Sequence, residues 1–368
     1  MVLTRPSHQR SRLYALAAAG LMILCGLRIV AVISYAADLL PLAGDARAYL
    51  AAARAVLAGA SPVGPGGAQF LPEAGAGVPL YLYPPLLAIV LVPLALVPYP
   101  ASLYLWLALV AAATLLLIPA LRPLVGWRVA AVGVLFFLPT WESLWLASIN
   151  ALIALLLAVA LSAADRGRER ALGVALALGT LLKITPVLGA PVLLAHGRWR
   201  GLAAMALTMG GAVLLSLPFV GLADWLGGSL YALRSTETNP YLLSWTALLR
   251  GQGGPLSVVG PPALTFGMLA LTLLRLRAVS LPLGLAAMML LPLLVAGIIW
   301  HYTALLALPA LAVLWRHSAR ARLIALTTWA GITLIGGALM PLTLTLCWCA
   351  CCWPQLLGPE EAPQGATA

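Results

Sequence analysis

The run LYALAAAGLMILCGLRIVAVISYAA, Leu13 to Ala37, decides the class of fold, because it exceeds the roughly 20 apolar residues that a helix needs to cross about 30 Å of hydrocarbon. Ala101 to Leu121 and Leu323 to Leu346 are of the same kind. Over all 368 residues, 63% are hydrophobic and 8% charged, and mean hydropathy is +1.03. A soluble globular domain carries about one-quarter charged residues, so composition excludes that class. In hydrocarbon each backbone polar group must be satisfied within its own segment, which predicts helical spans: an all-α polytopic membrane protein. The first run follows RPSHQRSR (5–12), is too long for a signal-peptide core and has no clear small-residue cleavage site before Asp38, so it reads as a retained signal-anchor.

The net charge of +11 raises the question of nucleic acid, but the arginines stand in short groups between apolar runs rather than along one face. Topology explains them, and no nucleic-acid partner is expected. Short cytoplasmic loops carry Lys and Arg in excess. Placing Arg5/Arg10/Arg12, Arg122/Arg128, Arg166/Arg168/Arg170, Arg198/Arg200, Arg275/Arg277 and Arg316/Arg320/Arg322 inside accounts for fifteen of the 21 basic residues. The N-terminus is then cytoplasmic. Twenty arginines against one lysine, with the heavy Ala, Gly, Pro and Leu load, point to a GC-rich bacterial genome and an inner membrane.

This frame orders the rest of the chain. YPPLLAIVLVPLALVPYP (83–100), interrupted by Pro93 and Pro98, is short for a span and reads as an interfacial or re-entrant helix on the outer side. Leu103 to Leu121 crosses inward and 129–147 returns. ALGVALALGTLLKITPVLGAPVLLA (171–195) lies between two arginine groups and must go in and come back, with Lys183 at its turn. A lone ammonium at membrane depth costs at least about 2.5–3.5 kcal/mol on insertion scales, so it should face water, a carboxylate or an anionic ligand. Residues 201–218 go out, 256–274 return, 279–299 go out, 303–315 re-enter and 323–346 leave the C-terminus outside. Eleven crossings result, in one domain spanning 1–368: a catalytic module over about 13–218, C-terminal helices over 255–346, and outer loops at 38–100 and 219–254.

Cys347, Cys349, Cys351 and Cys352 in CWCACCW are not split into the two spaced pairs of a structural zinc site. With Cys25 they are expected to be incidental thiols or disulfides, the four forming an interfacial tail. No metal and no cofactor are expected.

The polar residues left over gather on the outer side: among them Asp45, Tyr49, Tyr83, Glu142, Asn150, Lys183, Arg234, Asn239, Arg250 and His301. Asp45 and Tyr49 are four apart and share a face of a helix over about 45–58. The plainer alternative for Asp45 is capping of that helix; for Lys183, snorkelling to the outer interface; for His301, an aromatic belt with Trp300 and Tyr302; for Arg250, the C-terminal turn of a surface helix.

Asp45 with Tyr49, YLYPP (81–85), SIN (148–150), GTLLKITP (179–186), NPYLLSWTALLR (239–250) and WHY (300–302), in this order, resemble glycosyltransferase family 87 over about residues 13–315. That family belongs to the GT-C superfamily and uses polyprenyl-phosphate sugars, with phosphatidylinositol-mannoside mannosyltransferases as the characterised type. The resemblance implies a GT-C-like bundle of about 11 transmembrane helices with outer-face interfacial helices, a polyprenyl-phosphate sugar donor, a lipid or glycan acceptor, and a site on the extracytoplasmic face. It implies that Asp45 is the catalytic residue and that Lys183 and His301 line the donor-phosphate region. Ser148 departs from the Gly-Gln pair that many relatives carry before the asparagine.

The chemistry suits these residues. Displacement at the anomeric carbon releases a phosphate monoester of growing negative charge, which fixed cations stabilise without a metal; Lys183, His301, Arg234 and Arg250 are the candidates. One carboxylate near the acceptor hydroxyl is the minimal general base, the role of Asp45. A double displacement would need a second acid, for which Glu142 is the candidate. Tyr83 stands at the entrance of an apolar groove for the prenyl tail. The rival function is a transporter or flippase of a lipid-linked sugar, since broken helices and a buried lysine also mark transport sites. The oligomeric state is left open.

Overall fold

The computed structural model describes residues 8–39, 42–63, 69–74, 78–225, 227 and 243–358. The described residues form helices joined by short turns. The first is α1 (His8–Leu39). α2 (Gly44–Leu57), α3 (Pro85–Val90) and α4 (Val92–Ala95) are short and lie at one end of the bundle. α5 (Tyr99–Val125) runs away from that end, and α6 (Trp127–Leu135) with α7 (Leu138–Trp145) returns to it. α8 (Asn150–Asp165), α9 (Glu169–Leu182), α10 (Gly189–Ala195) and α11 (Trp199–Ser216) follow. After the residues left undescribed come α12 (Trp245–Gly251), α13 (Gly254–Arg275), α14 (Leu281–Val295), α15 (Leu308–His317), α16 (Ala319–Leu334) and α17 (Met340–Cys352).

Among the described residues four helices are long and apolar enough to cross a membrane: Tyr14–Asp38, Tyr99–Val125, Trp199–Ser216 and Gly254–Ala278. Others are apolar but shorter, such as Asn150–Asp165 and Leu281–Val295. They are packed inside the protein. α14 is buried on nearly every side, from Leu281 to Leu294, which is what a helix apolar all round requires. α1 is the opposite case, a peripheral helix with Leu16, Ile23, Leu27 and Val30 exposed.

The arginine groups meet at one end. Arg316 pairs with Asp165 at 2.8 Å and Arg198 with Glu169 at 3.0 Å, tying the ends of α15, α8, α9 and α11 together. The hairpin of α9 and α11 closes where Gly173 and Gly201 face each other: a Cβ on Gly173 would fall on the Gly201 carbonyl, so only glycine permits that approach.

The expected last span, 323–346, is corrected. α16 stops at Leu334, Gly336 takes φ +79°, a 3-10 turn covers Gly337–Leu339, and α17 starts afresh with Pro341 in its first turn. Glycine past a helix end and proline just inside the next start are stop and start signals that an unbroken apolar run conceals. α17 runs back to the arginine end, where the Cys352 carbonyl accepts from Arg275 Nε at 3.1 Å and the Leu357 carbonyl from Ser318 Oγ at 2.9 Å. The last described residues therefore lie at the same end of the bundle as the arginine groups, and the count of eleven crossings is not confirmed. The cysteines are not an interfacial tail either: Cys347, Cys351 and Cys352 are buried within α17, and all five are free.

Candidate active site

The site begins with the way α2 starts. Ala43 holds the left-handed conformation, φ 58° and ψ 40°, and gives the helix no side-chain cap. Its N–H donates to the Trp145 carbonyl at 2.7 Å, and the Asp45 N–H donates to the Leu146 carbonyl at 3.1 Å. Ala147, the next residue of that facing turn, is also left-handed, at φ 50°. Two non-glycine residues in this region each store about 1–2 kcal/mol, and such strain persists only where the surroundings hold it. Here the two backbone bonds clamp the start of α2 onto the end of α7, and Trp106 Nε1 donates to the Ala147 carbonyl at 2.8 Å from α5.

The clamp fixes Asp45 in the first turn of α2, where its side chain makes no capping bond while its charge lies at the positive end of the helix dipole. Asp45 Oδ2 faces the Tyr49 hydroxyl at 3.4 Å, and Oδ1 faces the Tyr302 hydroxyl at 3.4 Å. The Tyr49 and Tyr83 hydroxyls are 3.3 Å apart, and Tyr49 also accepts the Ile149 N–H at 3.3 Å. Asp45 stands outside the four long apolar helices. Its burial raises its pKa above the ordinary carboxylate value, against the lowering effects of Ser148, Tyr302, Lys183 and Tyr49, in that order. Burial likewise pushes the Tyr49 and Tyr83 phenols up, so both remain hydrogen-bond donors.

Lys183 ends α9 in an extended conformation, φ −154° and ψ 127°, at the turn of the α9–α10 hairpin. Its Nζ donates to Asn150 Oδ1 at 3.2 Å, and its charge acts on Asp45. Lysine and carboxylate, 138 positions apart, thus share one site. Asn150 is 1% exposed and its Nδ2 has no partner among the described residues, which leaves a buried donor beside the ammonium. Below Lys183 lies a cavity lined by Leu157, Leu176, Pro186, Met288 and Leu293, apolar apart from the lysine, Thr185 and Thr303.

His301 opens a 3-10 helix, His301–Ala307, in which successive side chains stand about 120° apart. Tyr302 therefore turns to Asp45 while His301 turns away. His301 Nε2 lies 3.0 Å from the Ile332 carbonyl and must carry the hydrogen, since a carbonyl only accepts. Nδ1 lies 2.5 Å from Glu142 Oε2. Glu142 is thus engaged with His301. Arg250, in the last turn of α12, lays its guanidinium against Gly297, where a Cβ would collide with it. Ser244 Oγ, which caps α12, also donates to the Ala296 carbonyl at 2.6 Å, so α12 is docked on the strand-like stretch that leads to His301. Arg234 and Asn239 lie outside the described residues. Tyr302 was not singled out as a site residue by the sequence, although its neighbour was; Ser148, noted only as a departure, lies against Asp45.

Residues 81–294 match the family model described as glycosyltransferase family 87, more than half of the chain. The chain belongs to glycosyltransferase family 87. No curated protein and no solved structure matches it. Membership makes the chain a membrane glycosyltransferase. The matched stretch of this family 87 chain holds Tyr83, Glu142, Asn150 and Lys183. Asp45, Tyr49, His301 and Tyr302 lie beyond its ends. Among the described residues no group of three or more His, Cys, Asp and Glu is placed to hold a metal ion.

Proposed function

We propose that the chain transfers a hexose, mannose in the first instance, from a polyprenyl-phosphate sugar to a lipid or glycan acceptor by direct displacement. The observation that supports this reading is one carboxylate, Asp45, set between two phenols and within the field of the lysine that ends α9. In the step, the acceptor oxygen attacks the anomeric carbon and gives its proton to Asp45, while the bond from that carbon to the phosphate oxygen breaks. The leaving phosphate gains negative charge. Lys183 and the spare Asn150 N–H groups are suited to receive it, because fixed donors in a water-poor site need no reorganisation as the charge develops.

The contacts at 3.4 Å around Asp45 are long, as catalytic hydrogen bonds are before substrate tightens them. A base whose pKa is raised by burial is also a stronger one. With the arginine end in the cytoplasm of a bacterium, by the excess of arginine in short loops, Asp45 faces the extracytoplasmic side and the C-terminus is cytoplasmic. Incubation of the purified protein with labelled polyprenyl-phosphate mannose and a membrane lipid extract tests the reading. Transfer is expected, and a protein that carries labelled lipid across vesicles without forming product would be a flippase instead.

A further inference from the structure

Arg28 sits within the exposed first span, fourteen residues from Tyr14 and ten from Asp38, about 21 and 15 Å along the helix at 1.5 Å per residue. It is exposed and makes no hydrogen bond or ion pair with the described residues. A snorkelling arginine needs water within reach of its side chain, and this one is far from either end of its span. A guanidinium with no ion pair among the described residues at such depth favours an anion.

Its surroundings indicate which kind. Gly336, in the break between α16 and α17, lies beside it: a Cβ added there would stand 3.9 Å from the Arg28 Nη2. Six residues down the helix from Arg28, about 9 Å at 1.5 Å per residue, an apolar groove of about 540 Å³ begins at Met22 and follows α1 toward the arginine end, walled by Ala18, Leu21 and Met22 of α1, Leu311 of α15 and Trp329 of α16, and reaching Arg128. Arg28 follows Leu21 by seven residues, which puts both on one face of α1. The groove is closed toward the core, because Trp329 Nε1 donates to the Gly133 carbonyl at 3.0 Å and its ring stacks on Phe137. The Ile332 carbonyl, one turn before Gly336, is taken by His301, and none of Asp45, Tyr49, Lys183 and Tyr302 lines the groove.

We propose that this seam holds one glycerophospholipid, its phosphodiester on the Arg28 guanidinium beside Gly336 and an acyl chain in the groove below. The charge at the head and the apolar lining along the tail match a lipid of that kind, and the closed floor keeps it apart from the transfer site. Guanidinium and phosphate pair through two parallel hydrogen bonds, stronger than neutral ones, which offsets the placing of arginine at this depth.

Native mass spectrometry of the full-length chain, taken up in mild detergent and equilibrated with phosphatidylglycerol vesicles, reads the site. The wild type is expected to retain one phosphatidylglycerol per chain. Arg28→Ala should lower its occupancy by about tenfold, the scale of one lost charge-assisted contact; Arg28→Lys should recover part of it. Removing an arginine from an apolar span does not oppose insertion, so the alanine variant is expected to fold. Leu21→Trp, which fills the groove and leaves the guanidinium in place, should also displace the lipid. Equal occupancy in wild type and Arg28→Ala overturns the proposal, and so does a wild type that carries no glycerophospholipid or holds a polyprenyl phosphate there. The assay does not read sugar transfer, so its failure is distinct from that of the proposed reaction.

Discussion

The Tyr302 hydroxyl and the Asp45 carboxylate lie 3.4 Å apart across 257 positions of sequence. One belongs to a 3-10 helix after the buried α14, the other to the first turn of a short helix after α1, and their meeting closes the candidate site. Neither is worth much without the other, since a phenol that lowers the pKa of a buried carboxylate acts only where the backbone clamp at Ala43 and Ala147 sets that carboxylate.

Transfer should therefore depend on pH through Asp45. The base works when ionised, burial raises its pKa, and activity is lost as pH falls through a value above the ordinary carboxylate range near about 4. Tyr302 lowers that pKa, so Tyr302→Phe should move the acid limb to higher pH. A pH–rate profile of both proteins checks the sign; a limb that stays in place or moves to lower pH removes Asp45 as the titrating base.

Lys183→Met should lower kcat by about 10²–10³-fold, the usual cost of one donor to a developing charge. Asn150→Ala should cost less, since the ammonium remains. Steady-state kinetics with the polyprenyl-phosphate donor separate these effects, and a lysine variant altered in KM alone would mean that Lys183 binds the ground state only.

Ala147→Gly should stabilise the fold by about 1 kcal/mol, because glycine enters the left-handed region without the Cβ clash, and Ala147→Val should destabilise it by more. Thermal unfolding in detergent reads both. Equal melting of all three proteins would show that the turn relaxes and carries no strain.

The end of the chain provides a topological test. A reporter fused after Ala368 should signal on the same side of the membrane as one placed in the loop at Arg277, because Cys352 is bound to Arg275 and Leu357 to Ser318. Signals on opposite sides would restore the single crossing at 323–346.

What the sequence disclosed follows from which forces are local. Apolar runs and the arginine groups report on insertion, so the helical class and the gathering of Asp165, Glu169, Arg198 and Arg316 at one end were legible. The hairpin turn at Lys183 was legible for the same reason, since a short return path between two arginine groups leaves the lysine nowhere else. The break at Gly336 was not, although Gly336, Gly337 and Pro341 were present, because hydropathy averages over a stop signal. Tyr302 could not be told from its belt of aromatic neighbours without the 3-10 geometry that separates it from His301. The pairing of His301 with Glu142 is a contact between distant elements, which no spacing encodes.

The account stands on Asp45 as the proton acceptor. Single-turnover transfer from labelled polyprenyl-phosphate mannose measures that role directly in the wild type and in Asp45→Asn, which keeps the shape and one of the two oxygens that accept from Tyr49 and Tyr302 but cannot take a proton at neutral pH. A fall in rate of about 10²–10⁴-fold with donor binding retained is the predicted result. Transfer by Asp45→Asn at the wild-type rate would contradict it.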